Sequence, residues 1–225
     1  MMKKLGCFHA HHSNIEYIEK ALGNYSIKLI HFVDPGFDGR KGESDFTSEL
    51  VHKRIKDMLN WIAGSGVDGI LVTCTFFTTH FQGEELECPV PIINIDTPLF
   101  HDICEREGLQ TLVFTNPDTV EGTMNQLVEF ARRGKKKIKV IPHLVDNAFN
   151  LIMTGEQENY RALVEEKLED YIEEHIDKTL SVAQLSMASS AENVEGKTGV
   201  FVGSPVKSLG RYVEKALNYK CDILP

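Results

Sequence analysis

The chain has 225 residues, with 24 Lys and Arg against 33 Asp and Glu for a net charge of −9, and 42% of its residues are apolar. That mixture is typical of soluble globular proteins, and the acidic balance argues against nucleic acid as a partner, because neutralising phosphates takes a surplus of cations. No apolar run approaches the roughly 20 residues that cross a bilayer, and no secretory pattern opens the chain, so no membrane partner and a cytoplasmic location are expected.

In chain order, Lys4–His9 is a short apolar run, followed by a helical pattern through Ile15, Ile18 and Leu22 that ends at Gly23. Residues 26–33 (SIKLIHFV) read as a second strand, stopped by Asp34-Pro35-Gly36. Ser44 or Asp45 is the expected cap of a helix through Ala63, with Leu50, Ile55, Met58, Leu59 and Ile62 on its apolar face. Gly69-Ile70-Leu71-Val72-Thr73 is a continuous apolar run ending in Cys74-Thr75, the pattern of a strand covered on both faces. Residues 89–95 (PVPIINI) suggest a fourth strand, and Asp96-Thr97-Pro98 opens a helix with a cap and an early proline.

Residues 110–114 form another strand, and Thr115-Asn116-Pro117 starts a helix to Arg133. The basic run from Arg132 to Lys137 then complements that helix's C-terminal dipole. Residues 137–141 are again a strand, and a charged helix follows Gly155 to about Ile176, with Tyr160, Leu163, Leu168 and Ile172 apolar and the Glu165-Glu166 and Glu173-Glu174 pairs on its wet face. Residues 180–183 and 199–202 are the last strands, and 204–217 the last helix. Alternation of β and α over the whole length predicts an α/β fold with parallel sheets.

In such sheets ligands collect at the carboxyl ends of the strands. The polar residues at the predicted ends are His9, Asp34, Cys74 with Thr75, Thr115 with Asn116, Gln184 with Ser186, and Ser204. Most are uncharged hydrogen-bonding groups, suited to a small carboxylate. Neither GxGxxG nor GxxxxGK[ST] occurs, which argues against a dinucleotide or a nucleoside triphosphate.

Cys74 stands where a buried strand gives way to a helix, a setting that favours thiolate, although cysteine is also a common buried apolar residue. The other cysteines, Cys7, Cys88, Cys104 and Cys221, lack that setting, and the absence of a CxxC pair argues against both a disulfide framework and a zinc site. His9-Ala10-His11-His12 invites a metal reading, but no second histidine cluster completes a zinc set, so no metal is expected. His175 is expected to be exposed. Ile70–Phe76 and Leu180–Ser186 are similar apolar runs ending in polar residues, and they place Cys74 and Gln184 in corresponding positions 110 residues apart.

In these motifs the sequence resembles the aspartate/glutamate/hydantoin racemase superfamily. The resemblance rests on His9, Val33-Asp34, Leu71-Val72-Thr73-Cys74-Thr75, Ile93-Asn94-Ile95-Asp96, Phe114-Thr115-Asn116 with Thr119, and Val182-Ala183-Gln184-Leu185-Ser186-Met187. It implies two pseudo-symmetric, Rossmann-like α/β lobes with parallel sheets and an active-site cleft between them. The first lobe would span residues 1–96 plus 204–225, with the last helix packed back on it, and the second 97–203.

The resemblance also implies an isomerase working without cofactor or metal on a small carboxylate or amino-acid substrate, and a homodimer. In that family two cysteines flank the substrate's α-carbon. Cys74 matches the first as catalytic residue, whereas the second position holds Gln184, which can donate a hydrogen bond but no proton. His9, Thr75, Thr115, Asn116, Thr119, Gln184 and Ser186 match positions that bind substrate. One-thiol chemistry stays open beside racemisation: decarboxylation of a malonate-type acid, cis–trans isomerisation of an unsaturated diacid, or carboxylate binding without turnover.

Overall fold

The computed structural model describes residues 2–36, 40, 43, 45–80, 87–175 and 179–218. The described strands form two four-stranded parallel sheets, and the chain divides into two compact units, one running to Ile95 and resuming at Leu209, the other spanning Asp96–Ser208.

The first unit holds β1 (Lys3–His9), β2 (Ile27–Val33), β3 (Gly69–Val72) and β4 (Ile92–Asn94) in the order β2-β1-β3-β4. Its described helices are α1 (Asn14–Leu22), α2 (Ser48–Gly64), the short α3 (Thr75–His80) and, returning from the end of the chain, the helix Leu209–Ala216. Side chains alternate across β1. Phe8 faces α2, packing with Val51, Ile55, Leu59, Ile62, Ile70 and Val72 and stacking on Phe77 at 4.7 Å. Gly6 lies on that same face, where an added Cβ would fall 2.5 Å from the Ile62 side chain. Leu5, Cys7 and His9 take the opposite face and are fully buried. The returning helix joins this unit by close approach, Leu217 against Gly69 and Tyr25 against Gly210.

The second unit repeats the plan. It holds β5 (Leu109–Phe114), β6 (Lys139–Leu144), β7 (Thr179–Val182) and β8 (Val202–Gly203) in the order β6-β5-β7-β8. Its helices are α4 (Asp96–Glu105), α5 (Val120–Arg133), α6 (Ala148–Met153), α7 (Gln157–Glu174) and α8 (Ala188–Thr198), which makes the returning Leu209–Ala216 α9. One apolar cluster joins Val164, Leu168, Leu180, Val182, Ala191 and Val194. The other joins Leu99, Ile103, Leu112, Phe114 and Leu127.

Several sequence expectations change in detail. The cap of α2 is Thr47, whose hydroxyl accepts from the Leu50 amide, rather than Asp45; Ser44 lies outside the described residues. The helix therefore starts later, and Val51 takes the buried position expected of Leu50, which is 37% exposed. The fourth strand shrinks to Ile92–Asn94 because Pro89 and Pro91 lack the N–H a ladder needs. Thr115-Asn116-Pro117 opens a 3₁₀ turn, Pro117–Thr119, before α5 begins. On α7 the inward positions are Tyr160, Val164, Leu168 and Tyr171, while Glu165 is largely covered, held by Asn193 and Lys197. The last helix begins at Leu209 after turns from Pro205. Helices α6 and α8 have no counterpart among the sequence-derived elements.

Candidate active site

The carboxyl ends of β1 and β3 bring together the first group of residues. Parallel register sets Cys7 beside both His31 and Leu71, and Phe8 beside both Phe32 and Val72. His9, His31 and Thr73 therefore emerge on one side of three adjacent strands. His9 Nδ1 lies 2.8 Å from Thr73 Oγ1, and His9 Nε2 lies 2.9 Å from His31 Nδ1. Thr73 Oγ1 donates to the Phe8 carbonyl at 3.1 Å and accepts from Asn14 Nδ2 at 3.3 Å. His9 is fully buried; burial, then the nearby His31 charge, push its pKa down to about 4, so the ring is neutral.

Cys74 follows Thr73 directly and is half-buried. Its carbonyl accepts from the amides of Phe77 and Thr78, which turns the chain from β3 into α3 with Thr75 as the first helical residue. The other thiols have different surroundings. Cys7 is buried, and burial with the Glu19 charge pushes it up to about 12. Burial also raises Cys104, against the opposing pull of Lys136. Cys221 lies outside the described residues.

The second group is built at the ends of β5 and β7, around Gln184. Its Oε1 accepts from the Thr115 amide at 2.8 Å, the Thr115 hydroxyl at 2.7 Å and the Asn116 amide at 3.3 Å. Its Nε2 donates to Thr119 Oγ1 at 3.0 Å. Asn116 caps the following turn by accepting from the Asp118 amide, and the Thr119 hydroxyl donates to the Asn116 carbonyl. The Tyr160 hydroxyl lies 3.1 Å from Thr115 Oγ1 and 2.8 Å from Ser186 Oγ. Thr115, Asn116, Thr119, Gln184 and Ser186 thus form one hydrogen-bonded network with Tyr160.

Cys74 stands two residues beyond Val72 at the end of β3, and Gln184 two residues beyond Val182 at the end of β7. The two strands hold the same place in their sheets. The residues just before them are fixed alike, the Thr73 amide donating to Phe8 and the Ala183 amide to Val113.

His11 and His12 make contacts of their own: His11 Nδ1 lies 2.8 Å from the Ser13 hydroxyl, and the two rings lean together at 4.2 Å. No group of three or more His, Cys, Asp or Glu placed to hold a metal ion occurs among the described residues. His175 is not exposed as expected but partly buried, its Nδ1 3.2 Å from the Tyr171 carbonyl and its ring stacked on Tyr171 at 4.2 Å. Asp34 pairs with Arg54 at 2.9 Å. Sequence reasoning missed Asn14, His31, Thr73 and Tyr160. For His31 the available signal was a lone histidine in an otherwise apolar strand, and for Tyr160 a hydroxyl on a buried helix face.

No model of a known protein family matches the chain, and no curated protein sequence matches it. Solved structures do. An aspartate racemase from Picrophilus torridus superposes with a TM-score of 0.70 at 13% identity, over 98% of this chain and 96% of that one. A glutamate racemase from Francisella tularensis, solved in complex with D-glutamate, gives 0.68 at 12% identity, over 96% and 81%. An allantoin racemase from Pseudomonas fluorescens gives 0.63 at 14% identity, over 99% and 97%. At these identities the likeness is one of fold: the chain has the α/β fold of these racemases along nearly its whole length.

Proposed function

We propose that the protein is a cofactor-independent isomerase that moves a proton at the carbon next to a carboxylate of a small acid or amino acid, with Cys74 as the reacting thiol. The reading is carried by Cys74 at the carboxyl end of β3, in a fold shared with aspartate, glutamate and allantoin racemases. Thr75, Thr115, Asn116, Thr119, Gln184 and Ser186 bind substrate oxygens in this reading, and His9 is counted with them.

A second observation narrows the chemistry. The place equivalent to Cys74 is held by the Gln184 amide, whose oxygen already takes bonds from Thr115 and Asn116. An amide has no proton to give at any useful pKa, so a two-thiol racemisation does not run here. The second reading is therefore a one-thiol reaction of another kind, cis–trans isomerisation of an unsaturated diacid with Cys74 as nucleophile or decarboxylation of a malonate-type acid with Cys74 as donor. The test is turnover of small carboxylic acids by wild type and Cys74→Ala at matched folding. Loss in the variant is expected; full activity in it would sink the assignment.

A further inference from the structure

Resting on the reading of this site as one for a small carboxylate, we propose that Tyr160 is a positioning residue that sets its specificity. Tyr160 takes the Ser186 proton and so fixes Ser186 as a hydrogen-bond acceptor. The site then prefers a ligand with an N–H beside its carboxylate to the same carbon skeleton without nitrogen, which separates an amino acid from a plain diacid.

Donor and acceptor chemistry fixes the protons of the network. Backbone amides only donate, so the Gln184 atom facing the Thr115 and Asn116 amides at 2.8 and 3.3 Å is its oxygen. That oxygen lies 2.7 Å from Thr115 Oγ1 and cannot donate, so the bond between them uses the Thr115 hydroxyl proton. With that proton spent, the 3.1 Å contact between Thr115 Oγ1 and the Tyr160 hydroxyl needs the proton of Tyr160. The 2.8 Å contact between Tyr160 and Ser186 Oγ then needs the proton of Ser186. The chain runs one way, from Ser186 through Tyr160 and Thr115 to Gln184.

The same chemistry sets what a ligand meets among the described residues. Thr119 gives its proton to the Asn116 carbonyl and accepts one Gln184 Nε2 hydrogen, which leaves the second Nε2 hydrogen uncommitted. Asn116 Oδ1 accepts from the Asp118 amide, which leaves the Asn116 Nδ2 hydrogens uncommitted. The hydroxyl protons of Thr115 and Thr119 are spent on Gln184 and Asn116. Of the side chains counted above as binding substrate oxygens, Gln184 and Asn116 therefore keep hydrogens for that task. Ser186 offers lone pairs and no proton, and takes a ligand N–H instead.

These groups stand at the carboxyl ends of β5 and β7, where Asn116, Gln184 and Ser186 are only partly buried. Thr115 and Tyr160 behind them are each 3% exposed. Turning the Ser186 proton to a ligand carboxylate would take that donor from the buried Tyr160 oxygen. Leaving it in place would set the Ser186 lone pairs against those of the carboxylate. Either costs free energy, whereas an ammonium or amide N–H meets neither cost, and a charged donor makes the stronger bond.

Two measurements test this. Neutron diffraction from deuterium-exchanged crystals should place the Ser186 deuterium on the line to the Tyr160 oxygen and the Tyr160 deuterium on the line to Thr115. A Ser186 deuterium pointing elsewhere overturns the proposal whatever the ligand. Calorimetric titration with racemic aspartate against succinate, and racemic glutamate against glutarate, compares ligands that differ only by the amine. In the pair that binds, Ser186→Ala should lower the preference for the amino acid about threefold or more by weakening it, with the diacid unmoved. Tyr160→Phe, with the wild-type circular dichroism kept, should lower it by tightening the diacid, because Ser186 regains its proton. An unchanged preference in either variant overturns the proposal, as does equal weakening of both ligands in Tyr160→Phe, the mark of a merely structural role. Failure of the underlying reading looks different: wild type then binds none of the four acids, and the proposal falls with it.

Discussion

Replacing Gln184 by methionine keeps the side-chain length and removes every hydrogen bond it makes. The Thr115 amide, on a residue only 3% exposed, loses its 2.8 Å acceptor, and a stranded buried N–H costs about 1–3 kcal/mol. The Thr119 contact at 3.0 Å contributes about 1 kcal/mol. The Thr115 hydroxyl loses little, because it can turn to the Tyr160 oxygen at 3.1 Å, and the Asn116 amide at 3.3 Å adds little. The expected loss is about 2–4 kcal/mol, read by urea denaturation with circular dichroism at neutral pH. Gln184→Glu is the control: it keeps the acceptor for both amides and loses only the donor to Thr119, so its loss should be less than half that of the methionine variant. A methionine variant within about 1 kcal/mol of wild type, or a glutamate variant equally damaged, would refute the view that Gln184 is the acceptor organising this network.

Because His9 is pushed from 6.5 down to about 4 in the folded protein, the unfolded chain takes up the proton first as pH falls. Stability is then fully present above about pH 6.5 and is lost toward pH 4 by at most about 3 kcal/mol, and urea midpoints across that window should be flatter in His9→Gln; an identical slope in the variant contradicts the assignment. Gly6→Ala places a Cβ 2.5 Å from Ile62 in the packed face between β1 and α2, and thermal or urea unfolding should show a loss of about 1–3 kcal/mol. Tyr160→Phe removes the contacts to Thr115 and Ser186 and should cost about 1–2 kcal/mol, with a neutral result excluding their contribution.

The sequence carried the architecture well because alternation of apolar strand and amphipathic helix is a local signal. The corresponding places of Cys74 and Gln184 were visible for the same reason: each follows an apolar run at its polar end. Boundaries shifted where neighbouring residues carry the same local signal: Asp45 was expected to cap a helix that Thr47 caps instead, with Val51 buried. The networks were less legible. His31 meets His9 through the register of two strands whose residues are 22 positions apart, and Gln184 reaches Thr115 across 69 positions. Tyr160 read as one more apolar residue on its helix, since nothing local reveals that its hydroxyl ends between Thr115 and Ser186.

Proton NMR in D₂O reads directly whether Cys74 moves a proton beside a carboxylate. The panel holds D- and L-aspartate and glutamate, hydantoins, arylmalonates and maleate, each with wild type and Cys74→Ala. Deuterium at the carbon next to the carboxylate, or maleate converted to fumarate, is expected with wild type and not with Cys74→Ala. The same conversion in both proteins, or none with any acid in wild type, contradicts it.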